Sequence, residues 1–70
     1  MNILFNSNPV QLTEPVTLLS FLNMQLENCD AVLSRSVVAI NQQLVPRNNY
    51  TDYILQDNDE IELLTAMVGG

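Results

Sequence analysis

The chain contains no histidine, no lysine and no tryptophan, and its two glycines stand side by side at positions 69 and 70. Without histidine the commonest general base and metal ligand is missing, and no Ser-His or Cys-His pair can be assembled. A single cysteine, Cys29, rules out an internal disulfide. With Arg35 and Arg47 as its only cations, the chain lacks the clustered positive charge that phosphate backbones and anionic membrane surfaces attract. Having no lysine, it also offers no side-chain amine for an isopeptide link. Apolar runs such as Val37–Ile40 are far shorter than the roughly 20 residues of a membrane span. No basic segment followed by an apolar one opens the chain, so no secretory signal is expected, and a reduced, cytoplasmic location is.

What is present points to one small folded unit. Seventy residues, 47% of them hydrophobic, are enough for a single core without disulfide or metal; a domain of this size buries roughly 60% of its unfolded surface. Eight acids against two arginines leave a net charge of −6. Such a surface either serves solubility alone or steers the domain toward basic protein surfaces.

Patterning then divides the chain. Asn2-Ile3-Leu4-Phe5 alternates as a strand with Ile3 and Phe5 on one face. Asn6-Ser7-Asn8-Pro9 is turn chemistry, after which Val10-Gln11-Leu12 returns as a hairpin. Pro15 breaks the chain, and Thr17 is placed to cap a helix from Leu18 to about Leu26, with Leu18, Phe21, Leu22 and Leu26 on its apolar stripe and Leu19 at the edge. Asn28-Cys29-Asp30 is expected to end that helix. Ser36–Ile40 reads as a buried strand, Asn41-Gln42 as a turn with positive φ at Asn41, and Gln43–Val45 as its partner, closed by Pro46. Asn48–Leu55 is expected to cross over irregularly, tied to the core by Tyr50, Tyr53 and Ile54. After a turn at Asp57-Asn58-Asp59 comes a last strand, Glu60–Thr65, with Ile61 and Leu63 inward and Glu60, Glu62 and Leu64 outward. The expected fold is α+β: a small mixed sheet of about five strands on one helix, with the first and last strands as neighbours.

Catalytic constellations are missing. Asp57 and Asp59 fit a turn better than a carboxylate pair, and no metal-ligand or phosphate-loop spacing occurs. Cys29, between Asn28 and Asp30 with Glu27 close by, has no cation to lower its pKa and reads as a half-buried structural thiol. What remains is the Gly70 carboxylate. Gly69 and Gly70 bear no side chains, so they pack nothing and are costly to order, yet they can thread a narrow channel. A frayed end is the competing explanation. A carboxylate is a poor electrophile until transferred to a nucleotide phosphate, and then it is open to amines and sulfur donors. The expected division is a folded unit over 1–66 and a flexible tail over 67–70, with Val68 and Gly69 entering a partner's active site. Leu64 and Ala66, joined by Leu4 and rimmed by Glu60 and Glu62, would give that partner a docking surface near the tail's root.

Ile3-Leu4-Phe5-Asn6, Ala39-Ile40-Asn41 leading to Val45-Pro46-Arg47, Gln56 through Ile61, and Gly69-Gly70 closely resemble the ThiS family of thiamine-biosynthesis sulfur carriers. The match runs over essentially the whole chain. The resemblance implies a ubiquitin-like β-grasp fold and a carrier that is not itself an enzyme and is monomeric when free. It implies that an ATP-dependent adenylating enzyme, ThiF, activates Gly70, that sulfur from a cysteine desulfurase makes the thiocarboxylate, and that thiazole synthase, ThiG, receives the sulfur. No bound cofactor is implied. The family commonly places glycine between the two aspartates of the last turn; Asn58 stands there, and Asn tolerates left-handed backbone.

Three alternatives stay open at this level. The small subunit of molybdopterin synthase shares the terminal chemistry, though such chains tend to be longer and often carry prolines where Ala66-Met67-Val68 stands here. A ubiquitin-like modifier would use the same activated carboxylate on lysines of other proteins. A plain interaction module would leave its tail inert.

Overall fold

Alternation in the opening residues builds β1 (Asn2–Phe5), whose Ile3 is buried against the core. The computed structural model describes residues 1–65. The chain reverses through Asn6 and Ser7, both with positive φ (49° and 70°). That is the two-residue mirror-image turn whose twist suits a hairpin. It is shorter than the four-residue turn expected, so Asn8 and Pro9 already belong to β2 (Asn8–Gln11). Pro9 sits opposite Leu4 on an edge strand, where a missing N–H is tolerated.

Pro15 and the extended Thr17 start α1 (Leu18–Gln25), and the Thr17 hydroxyl oxygen accepts the Ser20 N–H at 3.2 Å. This is the side-chain cap the sequence implies. Leu18, Phe21 and Leu22 are fully buried, while Gln25 is exposed. Burial of each large apolar side chain contributes about 1.5–3 kcal/mol, so this stripe is a main source of stability. The Phe21 ring meets Phe5 edge-on, centroids 5.4 Å apart at 84°, locking helix to sheet.

The helical region does not end at Asn28–Asp30. Asn28 takes a left-handed conformation (φ 53°), and a second short helix follows, α2 (Cys29–Leu33). The Asn28 side chain makes no capping hydrogen bond at its start, so the capping logic that located α1 had no signal to read here. Cys29 is buried rather than half-buried, at the first residue of this helix. Burial, then the charge of Asp30, pushes its thiol pKa up. Arg47 donates from Nη2 to the Leu33 carbonyl at 2.8 Å, satisfying one of the orphan acceptors at the end of α2.

β3 (Ser36–Ile40) and β4 (Gln43–Val45) form the second hairpin, again through two positive-φ residues, Asn41 (52°) and Gln42 (71°). After Pro46 a 3₁₀ turn over Arg47–Asn49 leads into the crossover. Tyr50 and Leu55 anchor that crossover in the core; Ile54, expected to do so, is 51% exposed. Ile54 instead makes an isolated bridge to Thr17. The Leu18 N–H to Tyr53 carbonyl and Leu55 N–H to Val16 carbonyl bonds (2.8 and 2.9 Å) hold it there. A one-residue shift in an extended segment exchanges inward for outward.

β5 (Glu60–Thr65) completes a five-stranded mixed sheet in the order β2-β1-β5-β3-β4. It lies parallel to β1 and antiparallel to β3, so the first and last strands are neighbours as expected. Asn58 accepts positive φ (71°) in the turn before it. Among the described residues no helix is long and apolar enough to cross a membrane.

Candidate functional site

A buried polar knot fixes where β5 begins. Asp59 is 5% exposed. Its carboxylate accepts the Gln56 N–H at 2.8 Å, the Asn41 side-chain amide at 3.0 Å and the Tyr53 hydroxyl at 3.1 Å. Asn41 returns the tie by accepting the Glu60 N–H through Oδ1 at 3.1 Å. A buried carboxylate is stable only when so paired, and this one joins the crossover, the β3–β4 turn and the start of β5. Burial, followed by the hydrogen bond and the charge of Asp59, raises the pKa of the Tyr53 phenol. Asp57 accepts the Asn2 N–H at 2.7 Å. The two aspartates therefore do structural work in a turn and do not form a reactive pair. Among the described residues no group of three His, Cys, Asp or Glu could hold a metal ion.

Beyond that knot, alternation along β5 splits its side chains. Ile61 is buried and Leu63 half-buried on the inner face, under α1; Glu60, Glu62 and Leu64 are exposed on the outer face. Pairing then assembles their outer neighbours. Leu4, half-buried, stands opposite Glu60; Ala39 opposite Glu62; Val37 opposite Leu64. Leu44 on β4 pairs with Ala39. Directly opposite residues on one face approach within about 5 Å and diagonal ones within about 8 Å. Leu64 (53% exposed), Val37 (47%) and Leu44 (69%) thus form an apolar patch over the small floor of Ala39. Two shallow grooves of about 350 and 310 Å³ flank Val37, the first lined also by Arg35, Leu64 and Thr65.

The structure therefore brings Leu64, Glu60, Glu62 and Leu4 onto one face, as the sequence implied, but groups them unevenly. Leu4 lies beside Glu60, at the end of β5 away from Leu64. Sequence reasoning missed Val37 and Leu44. The unbroken run Val37–Ile40 reads as buried on both faces, and only period-two alternation within it would have turned Val37 outward. Ala66, Val68, Gly69 and Gly70, with the expected boundary between the 1–66 unit and the 67–70 tail, lie outside the described residues.

One long helix and one short helix on a five-stranded mixed sheet, with the last strand between the first and third, is the ubiquitin-like β-grasp arrangement. The crystal structure of a thiamine biosynthesis protein (ThiS) from Geobacter metallireducens superposes with a TM-score of 0.80 at 24% identity, covering all of both chains. A solution structure of a thiamine biosynthesis protein from the same organism gives 0.71 at 25% identity, covering all of this chain and 88% of that one. In sequence, the model of the ThiS family matches residues 3–70. The sulfur carrier protein ThiS of Escherichia coli K12 is 37% identical over 70 residues, the whole of each chain. The chain belongs to the ThiS family.

Proposed function

We propose that this protein is the sulfur carrier of thiamine thiazole formation and acts as a macromolecular co-substrate, not an enzyme. The observation that carries the reading is the 37% identity to the E. coli sulfur carrier over all 70 residues, diglycine included in the aligned span. The Gly70 carboxylate attacks the α-phosphorus of ATP on an adenylating enzyme of the ThiF type, pyrophosphate leaves, and an acyl adenylate results. A cysteine desulfurase supplies the sulfur as a protein persulfide, whose terminal sulfur attacks the carbonyl carbon; the C–O bond to AMP breaks to give an acyl disulfide. A second thiol of the donor system then cleaves its S–S bond, leaving the thiocarboxylate on the carrier and a disulfide on the donor. That thiocarboxylate gives its sulfur to thiazole synthase, ThiG. ATP belongs to the activating enzyme, and the carrier itself needs no bound cofactor. It is monomeric when free and works in the cytoplasm.

The fold's share of this chemistry is presentation. β5 lies between β1 and β3 in the sheet and Thr65 is its last residue, so residues 66–70 follow directly on a strand that is paired with β3 up to its end. We assign docking to the outer face: Leu64, Val37 and Leu44 as the apolar centre, Glu60 and Glu62 as the acidic rim that meets a basic partner surface, Leu4 at the far end and Ala66 beyond Thr65. Apolar anchors ringed by polar groups are the usual energetic centre of an interface.

Intact-mass measurement after incubation with the adenylating enzyme, ATP and a sulfur source tests the reading. The expected result is the mass rise of one sulfur replacing one oxygen, lost when Gly70 is deleted although the circular dichroism spectrum is unchanged. Absence of that rise with active enzymes, or covalent adducts on lysines of other proteins in its place, would overturn it. The family match favours the thiamine carrier over the molybdopterin synthase subunit.

A further inference from the structure

The register of β5 leaves one stretch of its backbone open on one side. β3 pairs with Ile61 through Thr65, whereas β1 pairs only Leu4 with Glu60 and Phe5 with Ile61. β1 stops there because the chain reverses at Asn6 and Ser7. The Asn41 N–H to Glu60 carbonyl bond (2.8 Å) turns Glu60 toward β3, and the Asn6 N–H to Ile61 carbonyl bond (2.8 Å) turns Ile61 toward β1. Successive residues of a strand face alternate sides, so Leu63 and Thr65 also direct their N–H and C=O groups toward the β1 side. There the Leu63 N–H is met by the side chain of Asn6, through Oδ1 at 2.9 Å. Among the described residues the Leu63 carbonyl and the Thr65 N–H meet no backbone partner on that side.

We propose that this open edge accepts an extended main-chain segment of the enzyme that receives the tail, adding a short strand beside Leu63–Thr65 in the row where β1 stops. Which protein supplies the strand rests on the carrier reading above; the edge itself does not. Unpaired donors and acceptors spaced along a strand are what β-strand addition uses. The two outer edges of the sheet are less suited to it: β2 carries Pro9, and Pro46 directly follows β4. The Leu63–Thr65 edge carries no proline, lysine or bulge. It is also continuous with the docking face, since Leu64, between the two open residues, is an exposed anchor of that face. A partner gripping Leu64 brings its backbone to the neighbouring edge. A second copy of this chain is a poor occupant, because two bodies of net charge −6, each with an exposed Glu62 beside the edge, repel.

The test uses Thr65, whose N–H faces away from β3. Thr65→Pro removes that donor without removing a bond to β3, and Thr65→Ala controls for the hydroxyl contact with Ser36 (2.9 Å). By calorimetry against the adenylating enzyme, Thr65→Pro is expected to bind roughly tenfold more weakly than Thr65→Ala. In the unmodified chain, exchange of the Thr65 amide with solvent should slow on complex formation, a readout that no folding defect of the variant can disturb. Equal affinities of the two variants, or unslowed Thr65 exchange in the complex, would overturn the proposal. Slowing that grows with chain concentration in the absence of enzyme would overturn it in favour of self-pairing. A wild-type chain that binds and shows this protection, yet never gains the thiocarboxylate mass, sinks the carrier reading and leaves the edge standing. Normal loading with no protection does the reverse.

Discussion

The two halves of β5 are built to opposite ends. Its first half is held on every side: Ile61 is 1% exposed, lies between β1 and β3, and follows the Asp59 knot. In the second half, among the described residues, β3 is the one strand alongside, Leu64 and Thr65 are exposed, and Asn6 reaches in with a side chain where a strand would otherwise continue. The difference teaches how a small domain can be rigid and receptive at once. Its stability is concentrated where two neighbours and a helix converge, and the stretch nearest the chain end is left with unused apolar surface and unused backbone groups.

Substitutions along this strand sharpen the contrast. Ile61→Ala, in the enclosed half, should cost about 2–5 kcal/mol of unfolding free energy by chemical denaturation, the range for emptying a packed core position. Asp59→Ala leaves Tyr53, Asn41 and the Gln56 N–H without their shared acceptor and should cost about 2 kcal/mol; a loss below the error of the denaturation curve would show the knot to be dispensable. Leu64→Asp, in the open half, should change stability by no more than about 0.5 kcal/mol. The same change should weaken binding to the adenylating enzyme about tenfold by calorimetry, and unchanged affinity would remove Leu64 from the docking face.

The smallest effect concerns pH. Tyr53 has its phenol pKa raised above the ordinary 10.0, by burial first and by Asp59 second. A raised folded value means the neutral phenol is favoured in the native state, so its contribution is complete below the unfolded pKa and is lost as pH rises through the folded one. Melting temperatures of the wild type should therefore fall faster above pH 10 than those of Tyr53→Phe. Parallel curves would show that the tie between Tyr53 and Asp59 does not reach the enclosed half.

Local signals read well where one residue decides the outcome. The Thr17 cap, the turn at Asn41, the boundaries of β3 and β4 and the alternation of β5 all depend on residue type and spacing over a few positions. α2 escaped because a five-residue helix without a capping side chain leaves no periodic or capping trace. The exchange of Ile54 for Leu55 as the anchor escaped because both are large and apolar, and register across an irregular loop is set by the bonds to Val16 and Leu18. Of the candidate site, Leu64, Glu60 and Glu62 were legible from β5 alone. Val37 and Leu44 were not, since they join Leu64 only through pairing across three strands.

Residue order by itself determined which segments become strands, where the long helix begins, that no histidine, lysine or internal-disulfide chemistry is available, and that a diglycine follows the last strand. Those properties come from short-range sterics, capping and composition. Only the tertiary structure decided that β5 lies between β1 and β3, that Val37 and Leu44 stand beside Leu64, and that β1 stops two residues into its pairing with β5. These are matters of register between segments distant in the chain, where the partner of each backbone group is chosen by how the whole sheet closes over α1.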